Sequence, residues 1–92
     1  MNYGLRHGVT LKLTSGSSNT RSDAFTDGTE YVRVVSTIAC HIAVGVAPTA
    51  AVTTPLLPAN EVEIIKVSAG EKIGVLRIGG SDGELYVTEL TE

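Results

Sequence analysis

The chain has 92 residues, a formal net charge of −3 and a single cysteine, which excludes a multidomain protein, an intrachain disulfide and a Cys/His zinc cluster. Its seven Lys and Arg are scattered and form no basic run of the kind that holds bare nucleic acid by releasing counterions, so direct nucleic-acid binding is not expected. No stretch nears the ~20 apolar residues of a membrane-spanning helix, and the first residues lack the apolar core of a signal peptide, so the expectation is a chain made in a cytoplasm with its cysteine reduced.

Strand signals dominate: β-branched residues recur with period two between Gly-rich breaks, and no window keeps a helical period. Residues 8–14 read as a first strand, with Val9, Leu11 and Leu13 on one face. Residues 15–28 are polar and turn-rich. They fit either a loop after a hairpin strand or an arm that embraces a neighbour; fully extended, residues 1–28 would reach ~90 Å. Residues 29–36 form the second strand, with Val32 and Val34 opposing Tyr31, Arg33 and Val35. Residues 39–46 form the third, with Cys40, Ile42, Val44 and Val46 on one side. The two-residue gap between these strands implies a hairpin or a sharp corner between sheets.

Residues 47–60 hold all three prolines, which exclude a central strand. Leu56 and Leu57 are expected to cap the core, and a loop of this length tends to bind something. Residues 61–67 and 72–78 are further strands whose apolar phase slips at Ile64/Ile65 and Val75/Leu76. Such slips mark bulges or strands buried on both faces. Residues 84–90 are the last strand, with Leu85 and Val87 inward and Tyr86 and Thr88 outward, and with the two before it they read as a three-stranded meander.

The expected fold is all-β, a small β-sandwich or jelly roll with a long N-terminal arm or loop; an open barrel is the alternative. Residues 1–28 supply the first strand and the polar arm or loop, and residues 29–92 the sandwich core of one domain. A domain of this size buries only about 60–65% of its unfolded surface. Few charges, 18% of the chain, leave a surface that is cheap to desolvate. Both features favour assembly with further copies or with a partner protein.

No residue cluster carries chemistry with conviction. Cys40 and His41 are adjacent, but neighbours on a strand point to opposite faces, so a buried thiol and a surface imidazole fit better than a nucleophile and its base. Asp23, Asp27 and Glu30 are oxygen ligands in type but match no calcium-loop spacing. Glu61 and Glu63 share a strand face, as paired glycosidase carboxylates must, yet no tryptophan is present to stack a sugar. The glycines of residues 79–83 lie between strands, whereas a phosphate loop opens a helix. The expectation is no enzyme, no metal and no cofactor. Contact residues are the better candidates: Tyr3, Arg6, Phe25, Tyr31, Arg33, Pro48, Leu56, Leu57 and Pro58.

Residues 31–92 contain the segments Arg33-Val34-Val35-Ser36-Thr37, Cys40-His41-Ile42-Ala43-Val44-Gly45, Ala47-Pro48-Thr49-Ala50 and Leu57-Pro58-Ala59. They continue with Val67-Ser68-Ala69-Gly70-Glu71-Lys72-Ile73 and end in Gly83-Glu84-Leu85-Tyr86-Val87-Thr88-Glu89-Leu90. In order and spacing this resembles a family of short bacteriophage virion proteins encoded among head genes. The resemblance implies a β-sandwich virion protein, foremost a capsid decoration (cement) protein on the capsid exterior. Its partner would be the major capsid protein, and it would act as a homotrimer in preference to a homodimer. A head–tail junction, tail or fibre component, and a β-sandwich that binds a carbohydrate or host surface, are the alternatives.

Overall fold

The computed structural model describes residues 6–91. It is all-β, with two four-stranded antiparallel sheets packed as a sandwich. The strands are β1 (Arg6–Ser15), β2 (Thr20–Arg21), β3 (Tyr31–Ser36), β4 (Cys40–Gly45), β5 (Leu56–Leu57), β6 (Glu63–Lys66), β7 (Lys72–Arg77) and β8 (Gly83–Thr91). The first sheet runs β1-β8-β3-β6 and the second β2-β7-β4-β5. Every connection except β4–β5 crosses from one sheet to the other.

The meander expected over residues 61–90 is therefore wrong. β6 pairs with β3 and β8 with β1 and β3, while β7 lies in the opposite sheet between β2 and β4. Short turns permit a hairpin, but inward-facing residues from both sheets must meet, and switching sheets meets that need. Of the two readings of the gap at Thr37-Ile38, the corner is the one observed. The Thr37 N–H donates to the Glu84 carbonyl, and the Glu84 N–H donates to Thr37 Oγ1, both at 3.0 Å.

The core lies between the sheets. Val32, Val34, Leu85, Val87 and Leu13 face inward from the first sheet, and Cys40, Ile42, Ile73, Val75 and Leu57 from the second. Each such aliphatic side chain contributes about 1.5–3 kcal/mol relative to exposure. The alternation in β3 and β4 is as expected up to Val44, but Val46 lies beyond the strand and is exposed. Val9 does not share the buried face of Leu13. The β1–β8 register shifts between His7 and Thr10, and this bulge leaves Val9 exposed.

Residues 16–30, which include β2, are docked on the sandwich, and the arm reading fails for them. Thr20 and Arg21 pair with Val75 and Gly74, and the amides of Ser22 and Phe25 donate to the carbonyls of Ile73 and Glu71. Phe25 is a core residue. The physical reason is that a large aromatic gains more from the sandwich interior than the polar loop around it loses by being ordered.

Neither phase slip is a strand buried on both faces. In β6, Ile65 packs on the core and Ile64 is exposed. In β7, Ile73 and Val75 point inward in unbroken register with β4, and Leu76 turns outward opposite His41.

Candidate interaction face

The outward surface of the first sheet brings together residues from all four of its strands. Register places Lys66, Tyr31, Leu90 and His7 in one row across the sheet. The next row is Ile64, Arg33, Thr88 and Thr10, and a third is Val35, Tyr86 and Lys12. Strict alternation on β3 turns Tyr31, Arg33 and Val35 outward, each half-buried, because Val32 and Val34 fill the core. Tyr86 is outward for the same reason, between the buried Leu85 and Val87.

This face is locally basic on a chain whose net charge is −3. It carries Lys12, Arg33 and Lys66. Lys12 Nζ lies 3.0 Å from Glu84 Oε2, and the Tyr86 hydroxyl donates to the same oxygen at 3.0 Å. The shared hydrogen bond and charge of Glu84 raise the Lys12 pKa. Lys12 and then Tyr86 hold the Glu84 carboxyl below its ordinary value. Among the described residues Arg33 and Lys66 make no ion pair. Thr10 and Thr88 tie the two neighbouring strands through their hydroxyls at 3.0 Å.

The second sheet has a different outer surface. There the loop at 47–50 lies over Gly74, which has room for no side chain: an added Cβ would sit 2.7 Å from Asn19 Oδ1 and 3.2 Å from the Pro48 carbonyl. Asn19 and Arg21 staple the loop. Arg21 Nε and Asn19 Nδ2 donate to the Pro48 carbonyl at 2.6 and 3.2 Å, and the Ala50 N–H donates to Asn19 Oδ1 at 2.8 Å. Beside this clamp Leu56, His41 and Leu76 share a row, and His41 Nδ1 lies 2.9 Å from the Thr54 carbonyl.

The sandwich end near β8 is closed by a buried carboxylate. Glu89 accepts from the Thr26 N–H at 3.0 Å and from Thr29 Oγ1 at 3.1 Å. It fixes the turn in which Gly28 adopts φ 87°. The cleft beside it, about 390 Å³, is lined by this turn, Gly8, Val9, Tyr31 and Leu90. Cys40 is buried, and burial pushes its thiol pKa up against the opposing pull of the Ser36 and Ser15 hydroxyls. Among the described residues no group of three or more His, Cys, Asp or Glu side chains is arranged to hold a metal ion.

The contact residues expected from the sequence divide accordingly. Tyr31 and Arg33 stand at the centre of the basic face. Arg6 is exposed at the start of β1, and Leu56 and Pro58 are exposed around β5. Phe25 and Leu57 are core residues and Pro48 is buried beneath Arg21 and Asn19. These three are corrected from contact to packing roles, since their apolar surface is already spent inside the domain. Tyr3 lies outside the described residues. Glu63 is exposed on β6 and Glu61 lies before that strand. Sequence reasoning missed Tyr86, Ile64 and Lys66 as members of the same face. Their outward parity was legible, but no local signal places β8 and β6 on either side of β3.

The chain matches no family model, no curated protein and no solved structure. No helix among the described residues is long and apolar enough to cross a membrane.

Proposed function

We propose that this chain is a structural protein of a bacteriophage particle, a capsid decoration protein that binds the outer shell between major capsid subunits. The observation that carries this reading is the outward face of the first sheet. Tyr31, Arg33 and Tyr86 stand together on one sheet surface with Lys66 and Ile64 beside them. Aromatic and Arg side chains held in place by strands are the usual anchors of protein contacts, and two unpaired cations favour an acidic patch on the partner. The resemblance of residues 31–92 to short virion proteins supplies the identity of that partner.

The mechanism is linkage. A ligand that binds only the assembled, expanded shell stabilises it over its dissociated or contracted forms, in proportion to RT ln(1 + [L]/Kd). Repetition over the lattice, with the chain acting as a homo-oligomer, makes many modest contacts act together. The protein would reside on the capsid exterior after synthesis in the host cytoplasm.

The test is the abundance of the chain in purified virions of the phage that encodes it. An abundance comparable to that of the major capsid protein is expected. A few copies per particle would instead assign it to the neck, tail or fibres, and its absence would overturn the virion reading. Binding of the purified chain to shells stripped of it should weaken with rising salt and on replacing Arg33 with alanine.

A further inference from the structure

The two sheets leave four strand edges, β1, β6, β2 and β5, and β6 differs from the others. β1 carries the bulge between His7 and Thr10 and presents Lys12. β2 and β5 are two residues long, and β5 lies between Pro55 and Pro58. Bulges, charges, prolines and short lengths are the devices that prevent edge-to-edge pairing. Within Glu63–Lys66 β6 has no bulge and no proline, and its two charges are opposite in sign; the register with β3 slips by one residue only before it, where Asn60 adopts φ 61°. Its ladder with β3 is flanked by the bonds from the Val67 N–H to the Glu30 carbonyl and from the Asn60 N–H to the Ser36 carbonyl, each 2.8 Å. Along it Val62 and Ile64 remain exposed, at 50% and 38%.

We propose that a second copy of this chain pairs with β6 edge to edge and antiparallel, about a twofold axis at Ile64. In an antiparallel ladder, residues alternate between those bonded to one neighbour and those bonded to the other. The Val67–Glu30 bond and the register Tyr31↔Lys66 to Val34↔Glu63 turn the backbone groups of Ile65 and Glu63 toward β3. The N–H and C=O groups of Ile64 and Lys66 therefore point to the free side. A twofold at Ile64 sets Ile64 against the partner's Ile64, and Val62 against the partner's Lys66, whose methylene stem covers it.

The charge pattern selects this arrangement. The segment reads Glu61-Val62-Glu63-Ile64-Ile65-Lys66, acidic at its start and basic at its end. Antiparallel apposition brings the acidic end beside the partner's Lys66, whereas a parallel one stacks like charges. The inner face gains as well. An open cleft of about 390 Å³ separates β6 from β4 and is lined by Ile42, Val44, Pro55, Glu63 and Ile65. In the proposed register the partner's Ile65 continues the inward face opposite Glu63, at the mouth of this apolar seam. The pair would join two first sheets into one continuous sheet and double the face that carries Tyr31 and Arg33. It is the homodimer, the second of the two assemblies expected from the resemblance, and it stands independently of the virion reading.

The test is light scattering and sedimentation equilibrium of the full chain over micromolar to high-micromolar concentration. A dimer is expected. Ile64→Lys, which places like charges opposite each other at the axis, should raise the dimer dissociation constant at least about tenfold with an unchanged circular dichroism spectrum. Ile64→Cys should oxidise to a covalent dimer, because facing residues of a bonded pair lie about 5.5 Å apart between Cα atoms, within disulfide reach. Val9→Cys on the β1 edge should not. A wild-type chain that stays monomeric throughout overturns the proposal and leaves the edge to a strand from another protein. A trimer, an Ile64→Lys chain that remains dimeric, or cross-linking through Val9→Cys in place of Ile64→Cys overturns it equally.

Discussion

Gly74 shows how much one missing side chain decides. It stands on the outward face of β7, yet it is buried, because Asn19 and the loop at 47–50 occupy the space a Cβ would need. Gly74→Ala should therefore displace the loop and cost about 1–3 kcal/mol, read from urea unfolding midpoints. The Lys12–Glu84 pair acts at the same scale with smaller effect, since both groups are solvent-exposed and screened. Glu84 has a lowered pKa, so its contribution is present above the unfolded carboxylate value and is lost as pH falls through the folded one. Lys12 has a raised pKa, so its contribution is present below the unfolded lysine value and is lost as pH rises through the folded one. The small difference in thermal midpoint between wild type and Lys12→Met should thus be full near neutrality, begin to fade as pH falls below the ordinary glutamate value, and vanish below the lowered value of folded Glu84.

Among elements, the loop at 47–50 is held by side chains and not by a ladder. Arg21 supplies a charge-assisted bond to the Pro48 carbonyl and a second contact to Thr49 Oγ1 at 3.2 Å. Arg21→Ala should leave the sheets intact and speed hydrogen exchange at the Ala50 N–H severalfold, while global stability falls by about 1 kcal/mol or less. β1 has the opposite character. It pairs with β8 from Arg6↔Thr91 to Ser15↔Gly83, and Leu13 and Ser15 are buried. A chain lacking residues 1–15 should fail to fold, giving a featureless near-ultraviolet spectrum. A removable arm would instead leave a folded 29–92 core.

For the whole molecule, the pairing of the first and last strands sets the folding problem. Each sheet is assembled from strands distant in sequence, and only β4–β5 joins consecutive strands within one sheet. Loops must close before these contacts form, so folding is expected in the millisecond-to-second range characteristic of sandwiches, measurable by stopped-flow dilution from urea. The same topology shapes function. Crossing between sheets builds two unlike outer surfaces: a basic face with Tyr31, Arg33 and Tyr86, and a second face partly roofed by its own proline loop.

The sequence by itself determined the all-β class, the strand positions near residues 31–36, 40–45 and 72–77, and the inward set Val32, Val34, Cys40, Ile42, Leu85 and Val87. Period-two alternation is a local property, enforced within each strand by one face meeting the core. It also made Tyr31 and Arg33 legible as outward residues. Only the tertiary structure decided which strands are neighbours, because pairing is a contest between distant segments with similar patterns. It alone turned the expected meander into alternating sheets, drew Phe25 inside, put Pro48 beneath Arg21, and left β6 as a free edge beside the face that Tyr31, Arg33 and Tyr86 share.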